Sequence, residues 1–189
     1  MKKLITSIFL VTLMAALLTA CGGSKISKDD AALMAGKWDL VLADMYGVKM
    51  LPEDIESQMS FEFKDNGKTT YTLDGETEDY KWEKDEDLIT IWVKEGAVSK
   101  GHTATLDGDS FTLYWDYDGE PMKMIYAREG SDAVNPDLYI TDEDITVERL
   151  QDADGKTMFE LLGKLTPEAL EALDLTESYN TLKSVYGAE

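Results

Sequence analysis

The chain has 189 residues, 38 acidic and 18 basic, with a formal charge of −20 when its single histidine is neutral. Such an acidic excess excludes a nucleic-acid interface, which needs clustered Lys and Arg. One cysteine and one histidine leave no disulfide and no Cys/His zinc set. With no nucleophile elbow, P-loop or dinucleotide glycine pattern, the sequence predicts no catalytic residues, no cofactor and no metal.

Met1-Lys2-Lys3 is a short basic start, and Leu4 to Leu18 is apolar except for Thr6, Ser7 and Thr12. That order is a secretory signal, and the run is shorter than the roughly 20 residues needed to span a bilayer. It ends in Leu18-Thr19-Ala20-Cys21, followed by Gly22-Gly23-Ser24. Leu-Thr-Ala-Cys in this place resembles the lipobox of bacterial lipoproteins. The resemblance implies cleavage before Cys21, lipid on its sulfur, and a position on the extracytoplasmic side of the cell membrane (the outer membrane in a Gram-negative source). Each buried methylene contributes roughly 0.8 kcal/mol, so two or more acyl chains anchor stably. Without Lys2 and Lys3 the mature chain carries −22, and anionic headgroups repel it, so lipid is the expected attachment. The expected divisions are a signal peptide over 1–20, a lipidated tether over 21–35, a barrel over 36–129, and a linker with helices over 130–189.

From residue 36 to 128, turn signals recur at short intervals. They are Asp65-Asn66-Gly67, Asp74-Gly75, Lys84-Asp85-Glu86, Glu95-Gly96, Asp107-Gly108-Asp109 and Asp118-Gly119. Asn-Gly and Asp-Gly tolerate the positive φ angles of tight hairpins. Between them lie runs rich in Thr, Tyr, Trp, Ile and Val, the residues of strands. Apolar side chains alternate with polar ones: Trp38, Leu40 and Leu42; Met59, Phe61 and Phe63; Tyr80 and Trp82; Phe111, Leu113 and Trp115; Met122, Met124 and Tyr126. Period-two alternation buries one face of each strand. Ile89 to Val93 is apolar on both faces, which predicts partial cover outside. Eight strands follow, near 37–43, 59–64, 68–73, 77–84, 88–94, 98–106, 110–116 and 121–128. A meander this long has exposed edges unless it closes. Leu51 to Glu56 reads as a short helical turn that could lid one end.

Gly36-Lys37-Trp38 at the start of the first strand resembles the Gly-x-Trp motif of lipocalins, and Arg128 ends the last strand, where lipocalins place an arginine over that tryptophan. The resemblance implies a mainly β fold, an antiparallel up-and-down eight-stranded lipocalin-like barrel, closed at one end by Gly36, Trp38 and Arg128. Before the seventh strand lipocalins carry a Thr-Asp-Tyr-like motif, where this chain has Asp107-Gly108-Asp109-Ser110. A barrel of this size is either filled by side chains or holds one small ligand. Phe61, Phe63, Tyr71, Tyr80, Trp82, Phe111, Trp115 and Tyr126 either pack the interior or, with the adaptable Met122 and Met124, line a pocket for an apolar ligand.

Glu129 to Asp137 reads as a linker. Beyond it come helix signals: a Thr157-x-x-Glu160 capping box, Thr166 as N-cap before Pro167, and a stripe of Tyr179, Leu182 and Tyr186. Residues 138 to 150 read as strand or helix. Short helices are marginal alone and need the barrel, each other or a partner. Asp152-Ala153-Asp154-Gly155 reads as a turn rather than a calcium loop. Two functions are expected from these features. One is a membrane-anchored protein binding a small apolar or amphipathic ligand. The alternative is a non-catalytic envelope protein with a packed barrel and a tail that docks a protein partner.

Overall fold

A computed structural model describes residues 26–95, 98–117 and 120–187. The signal segment, Cys21 and the turn signals at Gly96 and Asp118-Gly119 lie outside the described residues.

The chain begins with α1 (Lys28–Met34) and then forms β1 (Gly36–Met45) and β2 (Val48–Met50). After α2 (Pro52–Ile55) come β3 (Met59–Phe63), β4 (Lys68–Leu73), β5 (Glu76–Asp85), β6 (Leu88–Glu95), β7 (Val98–Asp107), β8 (Ser110–Tyr117) and β9 (Glu120–Arg128). Each strand from β3 to β9 pairs antiparallel with the next, and β9 returns to β1. With the β1–β3 pairing, eight strands close into an antiparallel lipocalin-like barrel. Closure pairs the backbone groups that an open meander would leave on two edges.

β1 departs from the simple alternation. Its register against β9 shifts between Leu40 and Leu42. This β-bulge at Val41 inserts one residue and exchanges the two faces beyond it. Trp38 and Leu40 face the interior, but beyond the bulge Ala43 joins the core rather than Leu42. Leu42 is buried on the opposite face, at 1 % exposure.

β2 was not legible as a strand. Tyr46 and Gly47 both have positive φ, 56° and 89°, and make a two-residue hairpin between Met45 and Val48. Tyr-Gly lacks the Asn or Asp that usually marks such a turn. A further short strand, β10 (Ile145–Thr146), adds parallel to β2, and helix follows from Val147; Tyr139 to Thr141 is not a strand and no helix starts at Asp142.

The tail packs on its own chain. Single 3₁₀ turns at Asp132–Val134 and Pro136–Leu138 occupy the linker. Then come α3 (Val147–Asp152), α4 (Gly155–Leu162), α5 (Pro167–Ala172) and α6 (Thr176–Tyr186). Val48, Ile145 and Leu161 form a second core, joined by Val147, Leu150, Leu165 and Leu173. Phe159 and Tyr179 stack at 5.7 Å, tying α4 to α6. Of the surfaces expected for these short helices, they use each other and β2, although no residue of α6 is buried and Tyr186 is exposed. Thr166 caps α5 as expected, accepting from the Ala169 N–H. The expected Thr157 cap is displaced: Asp154 is the N-cap of α4 and accepts from the Thr157 N–H at 2.8 Å. Aspartate at this position outcompetes the later Thr because it also complements the helix dipole. Asp152 to Gly155 is thus the joint between two helices.

Residues 28–34, expected as tether, are a helix. Ser27 caps it by accepting from the Asp30 N–H. Two turns are marginal in isolation; the barrel base stabilises them by burying Ala31 and Met34 at 6 % and 0 % exposure.

Candidate functional site

The two ends of the barrel are chemically opposite. At the base, where β1 starts and β9 ends, Trp38, Phe63, Trp82 and Phe111 are packed solid. Trp38 lies 5.3 Å from Phe111, and Phe63 lies 5.3 Å from Trp82, ring centre to ring centre. Both indole N–H groups are satisfied: Trp38 donates to the Met34 carbonyl at 2.9 Å, and Trp82 to the Lys68 carbonyl at 3.1 Å.

Arg128 covers this base. Its guanidinium carbon is 4.3 Å from the Trp38 ring centre. It donates to the Ala35 carbonyl at 2.8 Å, to the Leu33 carbonyl, and to Asp109 at 3.0 Å. The guanidinium thus closes the barrel and caps α1 simultaneously. Gly36, with φ of 118°, turns the chain from helix to strand beneath it; a Cβ there would meet Arg128 Nη1 at 3.6 Å. Positive φ is where glycine is favoured. Asp109, in the segment that departs from the lipocalin motif, is the partner that sequence reasoning missed.

The opposite end is hollow. A cavity of about 410 Å³ opens between the starts of β3, β5 and β9 and the ends of β4 and β8. Phe61, Tyr71, Tyr80, Trp115, Met122, Met124 and Tyr126 line it, joined by Met59, Leu73 and Leu113. Phe63, Trp82 and Phe111 do not: they belong to the packed layer beneath it. The interior is therefore neither wholly filled nor wholly hollow. Met50, Ile55 and Met59 pack against the same core, so α2 shields one side of the open end. His102 is 4 % exposed and stacks on Trp115 at 4.0 Å, a packing role behind the cavity wall.

Three tyrosines give the cavity its polar character. Tyr80 donates to Glu78 Oε2 at 2.6 Å. Burial, then this bond, pushes its phenol pKa up. Burial raises Tyr71, with Asp74 and Glu78 adding to it. Tyr126 is fully buried, its phenol pushed well above the usual range by desolvation, and no group among the described residues pairs with its hydroxyl. All three remain neutral O–H groups at physiological pH.

Glu76, Thr77 and Glu78 complete the lining. Sequence reasoning missed these residues too, although the signal was present. Tyr80 and Trp82 face inward, so the same period of two carries Glu78 and Glu76 to the inner face. Their pairing with Tyr71 and Leu73 agrees.

Residues 34–113 match the lipocalin-like domain family. The match runs from the end of α1 into β8; the lipocalin-like barrel itself continues to Arg128, where β9 closes it. No curated protein and no solved structure gives a match. The lipocalin-like barrel has its aromatic plug and its cavity at opposite ends.

Proposed function

We propose that this protein is a non-catalytic, extracytoplasmic lipoprotein whose lipocalin-like barrel holds one small apolar or amphipathic molecule. The observation that carries the reading is the cavity of about 410 Å³ with its aromatic and methionine lining. Small-molecule sites are mostly apolar, with volumes of roughly 300–1,000 Å³ and a few placed polar groups. Native mass spectrometry of protein purified from membranes tests it. The expected result is a single added mass of lipid-like size, lost on organic extraction. A bare mass under conditions that preserve other lipid complexes would contradict it.

The lipobox-like Leu18-Thr19-Ala20-Cys21 supports the anchor, and the chain length then constrains orientation. Ile26 packs on the barrel core just ahead of α1. Four residues, Gly22 to Lys25, link it to Cys21, at most about 18 Å of extended chain. Lipid at Cys21 would hold the plugged base toward the bilayer and turn the cavity mouth away from it. The ligand would be exchanged with the aqueous side rather than drawn directly from the membrane beneath.

A further inference from the structure

We infer that the cavity selects a cationic amphiphile, such as a long-chain amine, over a fatty acid of the same length. The inference rests on the ligand-binding reading above and adds the charge and polarity of the ligand.

The inner face of β5 runs Glu76, Glu78, Tyr80, Trp82, Lys84 from mouth to base. Charge is sorted along that one face. The Lys84 ammonium is 2.8 Å from Asp30 on α1, with its side chain 8 % exposed, so this inward cation is consumed at the base. Arg128 is consumed there as well, by Asp109 and two carbonyls. Among the described lining residues there is no Lys, Arg or His, while Glu76 and Glu78 both stand at the mouth. A carboxylate headgroup there would face two carboxylates without a countercharge. An ammonium headgroup would meet two carboxylates of opposite charge, one of them already held in place by the Tyr80 hydroxyl.

A second observation lies at the floor. Tyr126 packs against Phe61 and Phe111, at 5.0 and 5.1 Å. Tyr126 lines the cavity, and its buried hydroxyl has no hydrogen-bond partner among the described residues. A buried polar group left unmet is unfavourable by roughly 1–3 kcal/mol. Beside the apolar Phe61, Leu113 and Met124 of the lining, an unmet hydroxyl is a ready hydrogen-bonding point for the inner end of a ligand. The long axis of the site therefore runs from a hydrogen-bonding floor, through aromatic and methionine walls, to an anionic rim.

The test is calorimetric binding of dodecylamine, dodecanol and dodecanoate, each below its micellar concentration, to the full protein and two variants. Glu76→Gln/Glu78→Gln removes the rim carboxylates. Glu62→Gln/Glu83→Gln removes the same charge from the outer face, controlling for the field of the acidic chain. The expected order is amine, alcohol, carboxylate, with the amine favoured over the alcohol roughly two- to fivefold, as expected for an exposed ion pair. That advantage should vanish in the rim variant and persist in the outer-face variant. Carboxylate binding as tight as amine binding, or an amine preference equal in both variants, would overturn the inference while leaving ligand binding intact. Failure of all three compounds to bind would instead sink the ligand-binding reading itself.

Discussion

The Arg128 guanidinium lies 4.3 Å from the centre of the Trp38 ring while donating to carbonyls that end α1. One side chain thus joins the last strand, the first strand and the helix beneath them. Arg128→Ala should destabilise the protein by about 2–4 kcal/mol, from the lost cation–π contact and the carbonyls left unmet. Arg128→Lys should recover only part of this, because an ammonium lacks the planar fork. Urea midpoints decide it: an unchanged midpoint in the alanine variant would remove the plug from the account.

Tyr126 gives a prediction of opposite sign. Tyr126→Phe deletes a hydroxyl that no group among the described residues meets. The ligand-free variant should be more stable, by about 1 kcal/mol, because a desolvated polar group is removed without loss of a bond. The same change should weaken binding of a ligand that reaches the floor. A destabilised ligand-free variant would show that the hydroxyl is already bonded within the protein.

The tail is fastened to the barrel by Lys49 on β2, whose ammonium is 2.8 Å from Asp144. This bond, then the Thr141 N–H, holds the Asp144 pKa down at about 2. Because the folded value lies below the unfolded one, the stabilisation is complete above about pH 4 and is lost as pH falls through about 2. Asp144 is about a quarter exposed, so its contribution should be roughly 1–2 kcal/mol after solvent screening. The stability difference between wild type and Asp144→Asn should be present at neutral pH and shrink on acidification across that window. A difference constant with pH would contradict the assigned role.

Cys21→Ala should release the protein from membranes without altering its unfolding curve. In the anchored protein, a fluorophore at Asp65→Cys, in the β3–β4 turn at the base, should be reached by a headgroup-depth quencher more readily than one at Lys94→Cys, near the mouth. Membrane retention of Cys21→Ala would overturn the anchor, and preferential quenching at Lys94→Cys would overturn the orientation.

The barrel was legible because several of its hairpins use Asn-Gly or Asp-Gly and most of its strands alternate. Where the structure differs, the cause is local. The bulge at Val41 changes which neighbours face the core without changing composition. The Tyr46-Gly47 hairpin carries only half of the usual turn signal. Helix α1 is too short to form without the barrel base that buries Met34. Lining residues were legible by type but not by depth: Phe63, Trp82 and Phe111 have the same character as Phe61 and Tyr126, and only the closed barrel separates plug from cavity wall. Glu76 and Glu78 were overlooked because carboxylates are usually solvated, although the period of β5 carries them inward.

The central claim is that the hollow end of the barrel takes one apolar molecule. Displacement of an environment-sensitive apolar fluorophore from the full protein, alongside Met122→Trp, tests it most directly. Met122 lines the cavity and is partly buried, so indole there occupies ligand space without burdening the packed base. The account predicts saturable binding of one probe per chain in wild type, and at least about a tenfold loss in a folded Met122→Trp variant, equivalent to about 1.4 kcal/mol. No saturable binding, or binding unchanged by Met122→Trp, would contradict it.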